Sequence, residues 1–339
     1  MRILVLLGGE SAEREISLAS GQAVAQALAS AGHDVWAWDP GSQTFPNGLS
    51  TLEPPGLGNG PRSWGAALAE VVTTLGSDLD IVFIALHGGA GEDGGVQADL
   101  ESCGVPYTGS DRLASGLAMD KRLSKILWGW QGLPTPAWMT LDSGRPPPYE
   151  EVLKQLAADD PQGVVLKPIR EGSSVGVSIV KDRGAWAKGV HATRVHAGTS
   201  RRILAEAFIP GREITVGILG AESLPAVEIV PSSGFYDYER KYTPGASEYR
   251  VPADLRPGLA RDLGGLALEA FEVLGCRGFG RVDFRLDPQD RPFILEVNTV
   301  PGLTATSLLP KAARAAGLEF PALIEKICRL GREEARGLH

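Results

Sequence analysis

Two segments near the C-terminal end, residues 281–287 and 292–298, alternate apolar and polar side chains with a period of two. This period is typical of half-buried β-strands, and the Pro- and Asp-rich residues 288–291 between them predict a hairpin loop. Pairing Asp287 with Pro292 across that loop fixes the register of the remaining pairs. The sequence therefore predicts an antiparallel hairpin whose polar side chains share one face.

The predicted register places two carboxylates opposite each other. Asp283 faces Glu296, and Arg281 faces Asn298. Like charges directly opposite in a sheet are destabilising, so this pair indicates a ligand that compensates for the repulsion. Mg²⁺ prefers hard oxygen donors and keeps positions for phosphate and water, and Asp283, Glu296 and Asn298 offer three such donors. The alternative is a solvent-exposed hairpin with scattered charges.

Length and composition limit the class of protein. A chain of 339 residues predicts about two to three domains. The net charge of −8 argues against a general nucleic-acid or membrane-surface binder. Cys103, Cys276 and Cys328 are far apart, which favours a reducing compartment over a disulfide framework or a zinc site. No apolar run approaches the roughly 20 residues of a membrane span, and the apolar start at residues 3–7 is too short for a signal peptide, so we expect a cytoplasmic protein.

The N-terminal third predicts an α/β domain of the doubly wound type. It opens with a buried strand at residues 3–7, a helix over 16–31 and a strand at 35–38. Functional loops in such sheets follow the C-terminal ends of strands, and this is where Glu13 and His87 fall. Both are therefore candidate site residues, although a histidine at a strand end is often structural.

The middle of the chain contains two further candidate segments and one long helix. The helix is predicted over residues 112–130 and carries Lys121. A strand that contains Lys167 precedes the Gly- and Ser-rich residues 170–177, whose backbone N–H groups could fold over phosphates. The alternative for this loop is a flexible hairpin with nothing bound. Residues 235–242 hold three tyrosines and a phenylalanine and predict a long ordered loop or lid, with an exposed linker as the alternative.

Short motifs of one known family occur in order along nearly the whole chain. They are residues 8–17, 86–88 with 91–94, 106–109, 119–121, 167–176, 235–242, 280–283, 296–302 and 306–308. With these motifs the chain resembles the D-alanine–D-alanine ligase family of the ATP-grasp superfamily. Several of the motifs are far more specific than a lone glycine pattern.

The resemblance implies an α/β protein with the ATP-grasp fold. Its parts would be a doubly wound N-terminal α/β domain at residues 1–121, a central α+β domain at 122–217 and a C-terminal α+β domain at 218–339 with the lid and the Mg²⁺ site. The resemblance implies an enzyme that joins two D-alanines through a D-alanyl phosphate, with ATP converted to ADP and phosphate, for peptidoglycan synthesis. It also implies two Mg²⁺ ions, for which Mn²⁺ could substitute, and a homodimer formed through the N-terminal domain.

The resemblance assigns roles to individual positions as well. The implied catalytic residues are Glu13, Ser174, Arg281, Gly302 and Tyr242. The residues implied to bind amino-acid substrates are His87 near the first D-alanine, and Ser307 and Leu308 at the second. The residues implied to bind ATP are Lys121, Lys167, Ser173, Glu206, Ala207, Ile209, Glu213 and Lys241. The implied metal ligands are Asp283, Glu296 and Asn298. Arg281 and the Gly302 N–H would stabilise the oxyanion, and Ala207 stands where many members carry lysine.

Three alternatives to this function remain open at the level of sequence. A related ligase would join D-alanine to a hydroxy acid or to another amino acid, although Tyr242 goes with D-alanine as the second substrate in the family. A glycosidase would use Asp283 and Glu296 as an acid/base pair, but it leaves Lys121 and Lys167 without a role. A non-catalytic nucleotide-binding regulator would have no need of the complete set of metal ligands. An ATP-dependent ligase also needs cations against ATP–carboxylate repulsion and a lid against hydrolysis.

Overall fold

The computed structural model describes residues 1–46, 48–53, 56, 63–76, 79–156, 162–231 and 247–337. Within these ranges the chain forms three β-sheets with helices packed against them, which confirms the predicted mixed α/β architecture. The predicted lid at residues 235–242, including Lys241 and Tyr242, lies outside the described residues. Among the described helices, none combines the length and the apolar composition that crossing a membrane requires.

The N-terminal part contains a three-stranded parallel sheet in the order β2-β1-β3. Its elements are β1 (Arg2–Leu6), α1 (Arg14–Ser30), β2 (Asp34–Trp38), α2 (Trp64–Leu75), β3 (Ile81–Ile84) and α3 (Gly95–Ser102). The strands are almost entirely buried, as expected of parallel strands covered on both faces. Helix α1 begins two residues earlier than predicted, directly after Glu13, so that this carboxylate stands at the start of the helix.

The middle part contains a four-stranded antiparallel sheet in the order β4-β7-β5-β6. Its elements are α4 (Arg112–Met119), α5 (Lys121–Trp130), β4 (Trp138–Asp142), α6 (Tyr149–Gln155), β5 (Val164–Pro168), β6 (Ser178–Val180), α7 (Arg183–Val195) and β7 (Arg202–Ala207). The single helix predicted over residues 112–130 is wrong. Asp120 is extended and its carboxylate accepts from the Leu123 N–H at 3.0 Å, so Asp120 caps a new helix that begins at Lys121.

The C-terminal part contains a six-stranded sheet in the order β11-β10-β8-β12-β13, with β9 paired to β8. Its elements are β8 (Arg212–Leu219), β9 (Glu222–Ser223), β10 (Val227–Pro231), β11 (Ser247–Arg250), α8 (Leu259–Val273), β12 (Phe279–Leu286), β13 (Pro292–Asn298), α9 (Leu308–Ala315) and α10 (Phe320–Ala335). The predicted boundary between residues 217 and 218 falls within β8, which pairs with β12 along its whole length. The division into three domains stays a prediction.

The hairpin of β12 and β13 has the predicted register at the end that matters for the site. Arg281 pairs with Asn298, and Asp283 pairs with Glu296. The two carboxylates therefore do lie opposite each other in an antiparallel pair. This arrangement places three oxygen-bearing side chains on neighbouring positions of one sheet, beside a guanidinium.

At the loop end of the hairpin, the predicted register is wrong by one residue. The register shifts after Asp283, and Pro292 pairs with Leu286 instead of Asp287. The shift has a packing reason, because Ile294 and Val297 are both buried in the core, which strict alternation along β13 forbids. The Ile294 N–H donates to the carbonyl of Pro134 at 2.8 Å, so the bulge also connects the hairpin to the segment before β4.

Asp39, which follows β2, holds the loop that precedes α1. Its carboxylate accepts from the backbone N–H groups of Gly9 at 3.0 Å and Gly41 at 2.9 Å, and from the Ser42 hydroxyl at 2.7 Å, and it forms an ion pair with Arg14. Burial raises the pKa of the Asp39 carboxyl, but these hydrogen bonds outweigh burial and hold the pKa at about 2. Asp39 is therefore ionised in the fold and fixes the loop that leads to Glu13.

Replacing Asp39 by asparagine should lower the free energy of unfolding at neutral pH by about 1–2 kcal/mol. Because the folded pKa lies below the unfolded value of 3.8, the carboxylate stabilises the fold above about pH 4 and this contribution disappears as the pH falls toward 2. Urea unfolding of both proteins at pH 7 and pH 3 tests this, and the difference should shrink at pH 3. Asp34→Asn, at the exposed first position of β2, is the matched control and should change little. An equal loss at both pH values would contradict the assignment.

Candidate active site

A cavity of about 610 Å³ brings together predicted site residues from the N-terminal, middle and C-terminal parts of the chain. The predicted residues that line it are Glu13, His87, Lys121, Ser173, Arg281, Glu296, Asn298, Gly302, Ser307 and Leu308. Its volume is sufficient for two small amino acids together with reacting groups of a cosubstrate. The candidate site is thus assembled from segments that are distant in sequence.

A second, much smaller cavity of about 60 Å³ shares a wall with the first. The predicted residues that line it are Lys121, Lys167, Ser174, Glu213, Asp283 and Glu296. Lys121 and Glu296 line both cavities, and the Lys121 ammonium lies 3.2 Å from the Glu296 carboxylate. Glu171 lines both cavities as well, so the shared wall carries one lysine and two acidic residues.

The loop after β5 closes over Glu13. The Ser173 hydroxyl donates to the Glu13 carboxylate, across 160 residues of sequence. Ser173 and Ser174 both have positive φ, at 49° and 59°, which is uncommon for residues other than glycine and asparagine. Strained backbone of this kind occurs preferentially at functional sites. The predicted Gly/Ser loop therefore contributes to the walls of both cavities, and its role at phosphates stays a prediction.

His87 connects the N-terminal part of the chain to the loop that follows β13. Its Nδ1 lies 2.8 Å from the Val300 carbonyl, which can only accept, so this nitrogen carries the proton. Its Nε2 lies 2.9 Å from the Ser20 hydroxyl, and that hydroxyl accepts from the Leu303 N–H at 3.3 Å. With both ring nitrogens engaged, His87 is suited to hold the backbone around Gly302 in position.

Glu92 is a buried carboxylate that the sequence did not single out. It lies 3.6 Å from Nδ1 of His87 and lines the larger cavity. Burial raises the pKa of Glu92, against the opposing effect of His87. Its signal in the sequence was its position in the glycine-rich loop after His87, inside one of the family motifs.

Three charged side chains from α5, β5 and β7 form a buried cluster beside the smaller cavity. The Glu206 carboxylate lies 2.7 Å from the Lys167 ammonium and 3.0 Å from the Lys125 ammonium. Burial raises the pKa of Glu206, but the two lysines outweigh burial and lower it overall. Burial lowers the pKa of Lys125 to about 8. Lys125 was not predicted, although it lies one turn after Lys121 on the same helix face.

Of the residues predicted around the adenine and ribose, Glu213 lines the smaller cavity, whereas Glu206, Ala207 and Ile209 line neither cavity. Ala207 is buried, and its N–H donates to the Ala137 carbonyl at 2.8 Å. The Ile209 carbonyl accepts from Arg285 at 3.2 Å, and Arg285 also lies 3.5 Å from the Glu213 carboxylate. These backbone groups are thus engaged within the protein, and Glu213 is the member of the set that borders a cavity.

The predicted metal ligands fit a hard cation. Asp283 is held by two hydrogen bonds from Arg281, at 2.8 and 2.9 Å, and by the Thr215 hydroxyl at 2.6 Å. Oδ1 of Asn298 is buried without a hydrogen-bond partner among the described residues, which is costly unless a cation or water satisfies it. The described residues contain no cluster of three His, Cys, Asp or Glu side chains suited to a metal, and the predicted set relies on the amide oxygen of Asn298 as its third ligand. Two carboxylates and an amide are donors that Mg²⁺ accepts.

Tyr249 and Lys311 also line the larger cavity, and neither was predicted. The Lys311 ammonium lies 4.0 Å from the centroid of the Tyr249 ring, which is a cation–π contact. Burial lowers the pKa of Lys311. Lys311 follows Ser307 by one turn of α9, and this spacing was the available signal in the sequence.

Comparisons with known proteins agree in pointing to one family. Two family models match, described as "D-ala D-ala ligase N-terminus" at residues 2–110 and "D-ala D-ala ligase C-terminus" at residues 127–329. A D-alanine–D-alanine ligase of a Synechococcus species is 42% identical over 99% of this chain and 94% of its own length. The Chromohalobacter salexigens ligase is 44% identical over 96% of this chain and 93% of its own length.

Solved structures give the same result at the level of the fold. The D-alanine–D-alanine ligase of Bacillus anthracis complexed with ATP is similar with a TM-score of 0.78 and 29% identity, and the match covers 100% of both chains. The Coxiella burnetii ligase has a TM-score of 0.79 at 25% identity, over 99% of this chain and 95% of its own. The similarity therefore extends over all three sheets.

Proposed function

The chain belongs to the D-alanine–D-alanine ligase family, and from that premise we propose that it uses ATP to join two D-alanines into D-alanyl-D-alanine for peptidoglycan synthesis. Membership of the family also confirms the predicted ATP-grasp fold. The observation that carries the proposal beyond family membership is the wall that the two cavities share. An ATP-dependent ligase must bring the terminal phosphate of ATP against a carboxylate, and Lys121 and Glu296 stand where the two regions meet.

In the first step, a carboxylate oxygen of the first D-alanine attacks the terminal phosphorus of ATP, and the bond to the ADP oxygen breaks. Both reactants are anionic, so the step needs cations close to the transferring group. Lys121 and Lys167 line the smaller cavity and are suited to the phosphates. Glu13, whose carboxylate accepts a hydrogen bond from Ser173, is suited to bind the ammonium of the first D-alanine. The product of this step is D-alanyl phosphate.

In the second step, the neutral amine of the second D-alanine attacks the carbonyl carbon of D-alanyl phosphate, and phosphate leaves. The carbonyl oxygen becomes anionic during the attack. Arg281 and the Gly302 N–H both belong to the wall of the larger cavity and are suited to stabilise that oxygen. Ser307 and Leu308, at the start of α9, are suited to the carboxylate of the second D-alanine.

Asp283, Glu296 and Asn298 would hold two Mg²⁺ ions, or Mn²⁺ in their place. When bound, such ions neutralise the charge of the phosphates and orient them. The unpartnered Oδ1 of Asn298 supports this assignment. The roles of Lys241 and Tyr242, of a lid over the cavity, and of a homodimer formed through the N-terminal domain stay predictions from the family.

The route through D-alanyl phosphate has a direct test. D-alanine labelled with oxygen-18 in its carboxylate should transfer one labelled oxygen to the released phosphate for each dipeptide formed. The reason is that the oxygen that attacks phosphorus leaves with it in the second step. Mass spectrometry of the phosphate measures this transfer. Label found only in the dipeptide or in water would contradict the proposed mechanism.

A ligase that joins D-alanine to a hydroxy acid is the second candidate, because it shares the same site. The two functions are separated by a competition between D-alanine and D-lactate at equal concentrations and neutral pH. We expect the dipeptide to dominate, because members of the family with a tyrosine at the position of Tyr242 use an amine, D-alanine, as the second substrate. Equal yields of dipeptide and depsipeptide would favour the second candidate.

Replacing Lys167 by alanine should weaken ATP binding by about 10- to 100-fold, because a charge-assisted hydrogen bond to phosphate is lost. The affinity for D-alanine should change by less than about twofold, since Lys167 lines only the smaller cavity. Calorimetric titration of each ligand measures both effects. Lys188→Ala, an exposed lysine on α7, is the control and should bind both ligands normally. Unchanged nucleotide affinity in the Lys167 variant would overturn the assignment.

A further inference from the structure

Lys125 is a fully buried ammonium for which the reaction described above has no use. Its side chain is 0% exposed, and it borders neither cavity. Its Nζ donates to the Thr135 hydroxyl at 2.6 Å and lies 3.0 Å from the Glu206 carboxylate. Burying a charged amine is costly even when it is paired, and an apolar side chain of the same length would pack at this position without that cost. The charge of Lys125 therefore requires a reason other than packing.

The reason lies in the other partner of Glu206. The second oxygen of the Glu206 carboxylate lies 2.7 Å from the Lys167 ammonium, and Lys167 is the lysine that borders the smaller cavity. One buried carboxylate is thus shared by two ammonium groups. If Lys167 turns toward a phosphate, the contact with Glu206 weakens, and the carboxylate depends on the remaining lysine for its counter-charge.

We propose that Lys125 is a positioning residue that neutralises Glu206, so that Lys167 is available to the phosphates of ATP. The inference rests on the proposed role of Lys167 in binding ATP. With Lys125 in place, the departure of Lys167 leaves a paired Glu206–Lys125 unit. Without Lys125, the same movement leaves a buried carboxylate with no cation, and nucleotide binding must supply the energy of that separation.

Thr135 explains why Lys125 stays in place while Lys167 moves. The Thr135 hydroxyl donates to the Ile294 carbonyl at 2.9 Å, so its oxygen is oriented to accept from Lys125. Ile294 belongs to β13, at the bulge of the hairpin that also carries Glu296. The fixed lysine is therefore anchored to the same sheet as the proposed metal ligands, whereas Lys167 stands at the cavity.

The test compares Lys125→Met in two backgrounds, because methionine keeps the unbranched shape and removes the charge. In the wild-type background the Kd for a non-hydrolysable ATP analogue should rise at least about tenfold, while D-alanine binding stays within about twofold. In a Glu206→Gln background the same substitution should change the nucleotide Kd by less than about threefold, since no carboxylate remains to be neutralised. A purely structural role predicts equal losses in both backgrounds.

Two outcomes would overturn the proposal. One is an unchanged nucleotide Kd for Lys125→Met with Glu206 present, and the other is an equal loss in the Glu206→Gln background. If Lys125→Met does not fold, the double variant Lys125→Met with Glu206→Gln, which lacks both buried charges, is measured instead. A nucleotide Kd more than about threefold above that of Glu206→Gln alone would then contradict the proposal. Because binding is measured without turnover, a wild-type protein that binds the analogue but forms no dipeptide would contradict the proposed reaction and leave this test intact.

Discussion

Replacing Glu296 by glutamine should remove ATP-dependent ligation almost completely, by about a thousandfold in kcat, while the protein still folds. Glutamine keeps the shape of the side chain and removes its charge. In the hairpin, Glu296 pairs directly with Asp283, and its carboxylate lies 3.2 Å from the Lys121 ammonium. Its loss removes an anionic oxygen donor at the wall where we propose that ATP and the first D-alanine meet, so a cation bound there would be held by too few ligands.

The measurement is phosphate release that depends on D-alanine, with saturating ATP and Mg²⁺. Glu222→Gln, at an exposed position of the same sheet, is the matched control and should keep full activity. Thermal unfolding of both variants should stay close to that of the wild type, since a carboxylate opposite another carboxylate contributes little to the stability of the free protein. Wild-type turnover that persists after exhaustive removal of divalent cations would contradict the metal assignment.

The part of the hairpin next to the site could be predicted because two local signals agreed. Alternation with a period of two gave the strands, and the like charges at Asp283 and Glu296 marked the functional face. The bulge could not be predicted, because it depends on where Ile294 finds a hydrogen-bond acceptor and a core to enter. Both are supplied by segments distant in sequence, the acceptor being Pro134. The alternation of side chains along β12 and β13 therefore predicts their register only where contacts with distant segments do not shift it.

The break between α4 and α5 was predictable and was missed. Aspartate is a favoured N-cap residue, and Asp120 stands directly before Lys121 within the family motif at residues 119–121. The helical period of the flanking residues continued across it, which favoured one long helix. The break matters for the site, because starting α5 at Lys121 directs this side chain toward Glu171 and Glu296.

The roles of His87 and Lys125 depend on tertiary contacts that no short segment contains. The carbonyl that orients His87 lies 213 residues further along the chain. The partner of Lys125 belongs to β7, and the consequence of their pairing appears only when Lys167 of β5 is added. The sequence shows a histidine and a lysine at these positions, but it does not show which atoms these side chains contact in the fold.

Replacing Arg281 by alanine should lower kcat by about a hundred- to a thousandfold, because the proposed oxyanion role of Arg281 makes it one of the donors that the substitution removes. Arg281 is 5% exposed, lies in the wall of the larger cavity and is held in place by two hydrogen bonds to Asp283. A guanidinium held in this way does not have to reorient as the oxyanion forms, and donors fixed in advance stabilise a transition state more effectively than mobile ones. Binding of the nucleotide should weaken far less than kcat falls, since Arg281 does not border the smaller cavity and reaches it only through Asp283.

Arg285 provides a matched control for this prediction, because it stands four residues further along the same strand and on the same face as Arg281. It contacts the Gly211 carbonyl at 2.8 Å and the Glu213 carboxylate at 3.5 Å, beside the smaller cavity. We therefore expect Arg285→Ala to raise KM for ATP and to leave kcat within about threefold, the reverse of the effect of Arg281→Ala. Steady-state kinetics with each substrate varied in turn separates the two patterns. If both variants lost ATP affinity in the same proportion, Arg281 would be acting through the structure of β12, and another group would have to stabilise the oxyanion.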